Sequence, residues 1–411
     1  MKELVLIAPT QIKRNLSVGN VYDLTLVDFY SKARKFAGIN VHTPFLWNIN
    51  GEPLVKQMRE YGFELNPENV AQYTSEKIKR AEEVMKQHYL DFDCSLRDDQ
   101  IQEQLEKLAR TSYQETFNIG NTNINECITC GNIFGSDPSI SSCRSCGRDT
   151  TYHQRETMFK NINREDIERK IAGIEFFPSG AKKRLEDFID NLPSEYDLIL
   201  EKNREFTTSI YGFKLDPRFV TMMFPALINK DREYDIRTSI SGDVVKKFNY
   251  YTLCYLNQED VPTRIVTHSI LVGSDKKKLR WQNDDGNQSE MFNGVHNKVL
   301  RAYFLKHNIQ GDLIIDPSQL FQQTKGLTRL YVQMGRTLEE RNVDLSKTGI
   351  RDELNQELVR FNQSVVKFNL PNAFSCMNKY ATKSWKMVKD DKLSIDEYNT
   401  LKLLRNMYFG E

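Results

Sequence analysis

The sequence predicts an α/β protein: a doubly wound sheet domain, split by a small metal-bound insertion and followed by a helical region. Three observations carry this. The chain opens as strand, loop, helix, strand. Two tight cysteine pairs stand between residues 127 and 146. From about Asn297 onward the pattern is almost wholly helical.

Leu4 to Ala8 is a short apolar run ending at Pro9, the pattern of a buried strand. The polar segment Thr10 to Asn15 follows as a loop. Val18, Tyr22, Leu26, Phe29, Tyr30, Ala33 and Ala37 then recur at helical spacing, and Gly38 supplies the stop. Val41 to Trp47 reads as the second strand. This is how a doubly wound domain begins, and ligands in such folds sit at the carboxyl ends of the strands. Here that means the Thr10–Asn20 loop and the segment after Trp47.

Ser75 to Leu108 is charged and reads as helix, as does Asn163 to Leu192. Tyr211 to Leu227 reads as strand, with Phe213, Phe219 and a Met-Met-Phe run. Thr263 to Val272 is a further apolar strand. A loop rich in Lys, Asp, Asn and Gly follows from Gly273 to Asn287. Pro371 interrupts the helical region once.

Cys127-Ile-Thr-Cys130-Gly and Cys143-Arg-Ser-Cys146-Gly are separated by 12 residues. Two residues between cysteines let one turn aim both thiolates at one ion. The glycine after each pair permits the positive φ of such a knuckle. Together Cys127, Cys130, Cys143 and Cys146 make a closed four-thiolate set for zinc, which points to a structural ion rather than a catalytic one. The stretch between the pairs is polar and loop-like, and a metal staple would give it order. The remaining cysteines, Cys94, Cys254 and Cys376, read as small core or surface residues, and free thiols fit a reducing cytoplasm.

The 57 lysines and arginines nearly balance the 56 aspartates and glutamates, for a net charge of +1. A generic polyanion binder is usually more basic. No apolar run approaches the roughly 18 residues of a membrane span, and the opening residues turn polar too soon for a signal peptide. Lys383, Lys386 and Lys389 around Trp385 read as the solvent side of an amphipathic helix. His42, His88, His153, His296 and His307 show no metal or triad spacing.

Several segments, in order, resemble class I aminoacyl-tRNA synthetases, the methionyl-tRNA synthetase group in particular. Leu16-Ser17-Val18-Gly19-Asn20 stands at the place of the His-Ile-Gly-His signature. Phe45-Leu-Trp47-Asn48-Ile-Asn50-Gly51-Glu-Pro53 resembles a strand ending in Asp-Asp-x-His-Gly-x-Pro. The cysteine knuckles fall where the family inserts its zinc-bearing connective peptide. Ile240-Ser-Gly-Asp243 resembles Ile-Gly-Lys-Asp, Thr267-His268-Ser269 resembles Val-His-Gly, and Lys276-Lys277-Lys278 lies at the Lys-Met-Ser-Lys-Ser loop. Asn378-Lys379-Tyr380 with Trp385 and Lys389 resembles the opening of the anticodon-binding helical domain.

The resemblance implies a Rossmann-like class I synthetase catalytic domain in two halves, 1–118 and 161–296. A knuckle insertion at 119–160 divides them, and a shortened helical domain occupies 297–411. It implies ATP, used with magnesium, as a substrate, bound near Gly19, Asp243, His268, Lys276 and Lys277. Ser17, Asn20 and Lys278 stand at the family's catalytic positions, and Trp47, Asn48, Met223, Phe248 and Thr252 line the acid pocket. The implied reaction is ATP-dependent, AMP-forming activation of an amino acid or related carboxylate, then transfer to tRNA or another amine acceptor.

The departures are specific. Ser17 replaces the first signature histidine, and a serine donates a hydrogen bond but carries no charge. Losing one transition-state donor costs on the order of 10²–10³ in rate. Asp275 stands for the first loop lysine, while Lys278 keeps the second. Asn48 replaces an aspartate that holds the substrate ammonium. Met223, Phe248 and Thr252 replace an aromatic, a histidine and a tryptophan. Methionine is therefore not the expected substrate, and the region ending at Glu411 would lack the later anticodon-binding helices. Two other readings stand beside this one: a synthetase-shaped binding or regulatory protein without catalysis, and a genuine methionine-tRNA ligase.

Overall fold

The computed structural model describes all residues except 9, 12–15, 50, 51, 115, 138, 144, 145, 203–208, 217, 231, 232, 243–245, 274–294, 317, 340–342 and 411. In the first half, β1 (Lys2–Ile7) and β2 (Thr10–Gln11) precede α1 (Val18–Phe36). Then come β3 (Asn40–His42), β4 (Pro44–Asn48), α2 (Glu52–Glu60), α3 (Pro67–Gln87), β5 (Cys94–Arg97) and α4 (Gln102–Thr111). The arm follows as β6 (Asn118–Cys127) and β7 (Thr150–Asn163), then α5 (Arg164–Ala172), β8 (Glu175–Phe177), α6 (Gly180–Ile189) and β9 (Glu195–Ile199). The second half continues with β10 (Ser209–Ile210), β11 (Phe213–Lys214), α7 (Arg218–Lys230), β12 (Ile236–Gly242), α8 (Lys246–Tyr255), β13 (Arg264–His268) and β14 (Leu271–Gly273). Last come α9 (Asn297–Leu305), β15 (Leu313–Ile315), α10 (Leu320–Thr337), β16 (Val343–Asp344), α11 (Asp352–Val366), α12 (Leu370–Asp390), β17 (Leu393–Ser394) and α13 (Ile395–Phe409).

Five strands form a wholly parallel sheet in the order β3-β1-β12-β13-β8. Parallel sheets need both faces covered, and β1 shows how the sequence does it. Leu4 and Leu6 enter a core with α4 to α8. Val5, pointing the other way, joins a core built with α1 and α9 to α13. Alternate residues of one apolar strand thus serve two cores. Buried Glu3 ties α1 to the amino end of the sheet by accepting from Tyr30 Oη at 2.8 Å, Arg34 Nε at 2.7 Å and Thr238 Oγ1 at 2.7 Å.

The expected helix from Val18 is α1, and Gly38 just beyond it takes φ 81°, the left-handed conformation that ends a helix. Several other expectations are corrected. The single strand expected over 41–47 is two, because buried Thr43 turns the chain. Its N–H donates to Asp93 and its hydroxyl to Ser31 at 2.9 Å. β3 stays in the main sheet while β4 joins a second parallel sheet, β2-β4-β5. The run 263–272 divides likewise. β13 stays in the main sheet and β14 pairs with β15, while Ser269 between them bonds Ile309 O through both N–H and hydroxyl at 2.9 Å.

Tyr211 to Leu227 is mostly helix, not strand. Phe219 to Ala226 are buried on every side, so no period distinguishes helix from strand there. Asp216 starts the helix by accepting from the N–H of Arg218 at 2.9 Å. The charged stretch 75–108 holds β5 between two helices, and 163–192 holds β8 between two more. Pro371 lies in the first turn of α12 and interrupts nothing. Among the described residues, no helix is long and apolar enough to cross a membrane.

Candidate functional site

In the main sheet β1 lies between β3 and β12, where the strand order reverses. The crevice at the carboxyl ends of such strands is where doubly wound folds bind ligands. The structure brings the first turns of α1 to this crevice. Ser17 is the N-cap of α1 and forms a capping box with Asn20. The Ser17 hydroxyl accepts from the N–H of Asn20 at 3.2 Å and donates to Asn20 Oδ1 at 2.8 Å. Asn20 Oδ1 also accepts the Ser17 N–H at 3.1 Å. The two residues at the signature-histidine positions thus hold each other and set the entry angle of the helix. They satisfy two of the four N–H groups that a helix start leaves without intrahelical partners, and the other two are those of Val18 and Gly19.

Among the described residues, a Cβ added at Gly19 would meet only Ser17 Oγ within 4 Å, at an ordinary 3.6 Å. Packing among the described residues therefore does not require glycine there. His268 ends β13 opposite Gly242 of β12, with its Cε1 3.6 Å from where a Gly242 Cβ would stand. The ring is buried, its Nδ1 is 3.0 Å from Ser269 O, and its Nε2 is 3.4 Å from an Asp23 carboxylate oxygen. Its edge meets the Tyr22 ring, centroids 5.2 Å apart. Burial, with Asp23 adding to it, raises the Tyr22 pKa well above the usual tyrosine range, so the phenol stays neutral. Asp23 was not singled out from the sequence. It shares a helix face with Gly19 and Asn20 at spacings of four and three, and that spacing was the available signal.

Of the acid-pocket candidates, Asn48 and Thr252 both meet α7. Gln11 pairs with Asn48 in the β2–β4 ladder, so the start of the loop lies beside Asn48. Asn48 Nδ2 donates to Thr221 Oγ1 of α7 at 3.3 Å. Met223, on the same helix, is fully buried. Thr252 Oγ1 of α8 lies 3.1 Å from Met222 Sδ and 3.0 Å from Phe248 O. Trp47 is elsewhere. Neighbouring strand residues point to opposite faces, and Trp47 enters a core with Leu16, Leu24 and Phe45 while its Nε1 donates to Ser95 Oγ at 2.6 Å. Thr221, the partner of Asn48, was not singled out from the sequence, because its segment read as strand. Asp243, Lys276, Lys277 and Lys278 lie outside the described residues.

The four cysteines converge at the far end of the β6–β7 hairpin, whose last pair is Cys127 with Thr150. Their sulfurs all lie within 4.8 Å of one another, with Cys127–Cys146 at 3.5 Å and Cys130–Cys143 at 3.6 Å. Thiolates at about 2.3 Å from a tetrahedral zinc stand about 3.8 Å apart, so the donor set fits that ion. Each knuckle closes alike. Gly131 at φ 64° donates to Cys127 O, and Gly147 at φ 71° donates to Cys143 O, both at 2.8 Å. Chiefly the backbone N–H of Cys130 lowers the Cys127 thiol, while burial pushes the Cys130 thiol up. Arg155 braces the arm, bonding Glu126 at 3.1 Å and also Glu201, which accepts from Thr157 at 2.6 Å.

In the C-terminal helices, Lys383 donates to Glu357 Oε1 at 2.9 Å, which spends one of the three basic groups around Trp385 on a neighbouring helix.

No protein-family model matches the chain, and no curated protein matches it in sequence. Solved structures do match. Mycobacterium tuberculosis methionyl-tRNA synthetase in complex with methionyl-adenylate superposes with a TM-score of 0.70 at 13% identity, over 100% of this chain and 92% of that one. A second structure of that synthetase bound by methionyl-adenylate gives 0.69 at 12% identity. The Agrobacterium radiobacter K84 leucyl-tRNA synthetase, in a ternary complex with tRNA and LeuAMS, gives 0.73 at 10% identity over 99% of this chain and 83% of that one. At such identities the likeness is one of architecture, and the architecture of this chain is that of the class I aminoacyl-tRNA synthetases.

Proposed function

We propose that the chain activates an amino acid or a related carboxylate with ATP and passes the acyl group, with release of AMP, to tRNA or to a non-tRNA amine acceptor. A carboxylate oxygen of the acid attacks the α-phosphorus, the bond to the bridging oxygen breaks, and pyrophosphate leaves with the charge. No side-chain nucleophile is needed, and catalysis rests on positioning and charge stabilisation. The N–H groups of Val18 and Gly19 would face the triphosphate at the positive end of α1. Asn20 and His268 would border the nucleotide, with Asp243 beyond β12. Lys276, Lys277 and Lys278 would neutralise the pyrophosphate, which ATP brings with its magnesium. Asn48, Met223, Phe248 and Thr252 would shape the acid pocket, with Trp47 supporting it from the core. An amide at Asn48 suits an ammonium poorly, which favours a substrate other than methionine. A zinc ion held by Cys127, Cys130, Cys143 and Cys146 would be structural, since four thiolates leave no open position.

The observation that carries this reading is Gly19: a glycine in the first turn of a helix, at the crevice, that no contact among the described residues demands. Ala is the better helix former, and Gly→Ala at a permitted conformation gains about 0.4–1 kcal/mol. Gly19→Ala is thus expected to keep or raise the unfolding midpoint while weakening ATP binding in calorimetry by about tenfold, or 1.4 kcal/mol. ATP–pyrophosphate exchange across the amino acids and several amine-free acids then tests the chemistry, with Lys278→Ala as control. Exchange with one acid, lost in the control, supports activation; unchanged ATP affinity in Gly19→Ala refutes the nucleotide site.

One observation favours a second reading, a nucleotide- or amino-acid-binding protein without catalysis. Ser17 and Asn20, at the positions of charged donors, bond mainly to each other. ATP binding without exchange for any acid would select it.

A further inference from the structure

The way α8 is held goes beyond the pocket residues themselves. A helix leaves its last carbonyls without intrahelical partners, and most are met by water or by a glycine turn. Here two lysines from other elements meet them. Lys170 Nζ, from α5, donates to Leu253 O and Leu256 O, both at 2.7 Å. Lys160 Nζ, from β7, donates to Tyr255 O at 3.3 Å. The negative end of the helix dipole favours cations at this place. Still, both groups give up solvent to reach it. Burial lowers the pKa of each, and for Lys160, with Lys170 as a second cause, it does so to about 7. An exposed cap would satisfy the same carbonyls without that penalty.

The clamp sits one turn from the pocket. Thr252 precedes the clamped carbonyls and bonds α7 through Met222 Sδ, and Phe248 lies a further turn back. α8 spans 10 residues, about 15 Å at the usual rise, so a shift at its end reaches both side chains. Cys254, between the clamped residues, is fully buried and leaves no slack. The strand that brings Lys160 is also the one whose other end carries the cysteine centre.

We infer that Lys160 and Lys170 are positioning residues for the acid pocket. By fixing the carboxyl end of α8 they set Phe248 and Thr252 against α7, which Thr252 meets at Met222, and so govern affinity for the acid rather than for ATP. What the pocket holds rests on the proposed adenylation; the clamp on α8 does not.

Two measurements on the full chain test this. In hydrogen exchange, Lys170→Met is expected to speed exchange of the α8 amides by about tenfold or more, since it removes two charge-assisted bonds. The amides of β1 and β12 stay unchanged. Lys160→Met, which removes one bond, has a smaller effect at the same place, and Lys170→Arg restores protection in part. In pyrophosphate exchange, Lys170→Met raises KM for the acid by about tenfold, with kcat and KM for ATP nearly unchanged. Unchanged α8 protection, or a uniform loss over the whole sheet, overturns the clamp. Equal rises in both KM values overturn the positioning role. If the native protein exchanges with no acid, the adenylation reading fails instead, and hydrogen exchange alone decides the clamp.

Discussion

Arg301→Met tests the joint between α1, which starts at the candidate nucleotide loop, and the C-terminal helices. Arg301 on α9 and Asp28 on α1 have side chains wholly shielded from solvent, 0% and 0% exposed. Arg301 Nη2 donates to Asp28 Oδ2 and its Nε to Met407 O at 3.0 Å. Asp28 Oδ1 accepts the N–H of Asp91 at 2.8 Å, and Lys32 Nζ lies 3.0 Å from Oδ2. Removing one partner of a buried pair costs about 3–5 kcal/mol, because the other charge is left uncompensated. After Arg301→Met, Lys32 still faces the carboxylate, so the loss belongs at the lower end, about 3 kcal/mol. Asp28→Asn leaves the guanidinium with no anion among the described residues and belongs nearer about 5 kcal/mol. The double variant removes both charges and is expected to lose less than the singles combined, with a coupling of at least about 2 kcal/mol. Urea unfolding followed by far-ultraviolet dichroism gives all four corners of the cycle. Losses under about 1 kcal/mol, or simple additivity, would refute the reasoning.

Two further outcomes follow from other parts of the molecule. Cys127→Ser and Cys143→Ser each remove a buried sulfur from the four-thiolate set. Purified protein should then fall from one zinc per chain to far below one by metal analysis, with the β6–β7 arm losing hydrogen-exchange protection, since such sites order their segments. Lys160 gives a pH signature. Its folded pKa of about 7 lies below the ordinary lysine value of 10.5, so the unfolded chain binds more protons between those two pH values. The burial penalty is complete below about pH 7 and is relieved as pH rises toward 10.5, so this group makes stability increase over that window. The difference in unfolding free energy between the native chain and Lys160→Met should therefore shift by about 3–5 kcal/mol from pH 7 to 10. A difference that stays flat would show that the ammonium is not buried as described.

The cysteine centre was legible because its determinants are local. Two intervening residues and a following glycine fix a knuckle whatever surrounds it. The α1 helix was legible for a related reason: its apolar stripe, Ser17 before it and Gly38 after it all agree. The split strands were not legible. Residues 41–47 and 263–272 each form one apolar run, and only a bond from Thr43 to Asp93, or from Ser269 to Ile309, decides that half of each run leaves the main sheet. Those partners are 50 and 40 residues away in sequence. The Met-Met-Phe segment failed in another way, since burial on all sides erases the period that separates helix from strand.

The candidate site shows the same division at the level of single side chains. Order along the chain could align Ser17, Trp47, Asn48 and His268 with a known signature, but alignment carries no orientation. Strand alternation alone separates Trp47 from Asn48, and it sends the indole to Ser95 and the amide to Thr221. Ser17 and Asn20 carried a readable signal of another kind: a serine followed three residues later by an amide, just before an apolar helical run, is the pattern of a reciprocal cap. Read that way, the pair's first task is to start α1, and in the proposed site the charge that meets a triphosphate would come from the helix amides and the lysines after Gly273. Stabilisation by fixed dipoles needs no titrating group. Removing the cap by Ser17→Ala would therefore act through the geometry of α1, costing about 1 kcal/mol of stability and weakening ATP binding without changing its pH dependence. A pH dependence that vanished with Ser17 would contradict this and would mark the pair as direct participants.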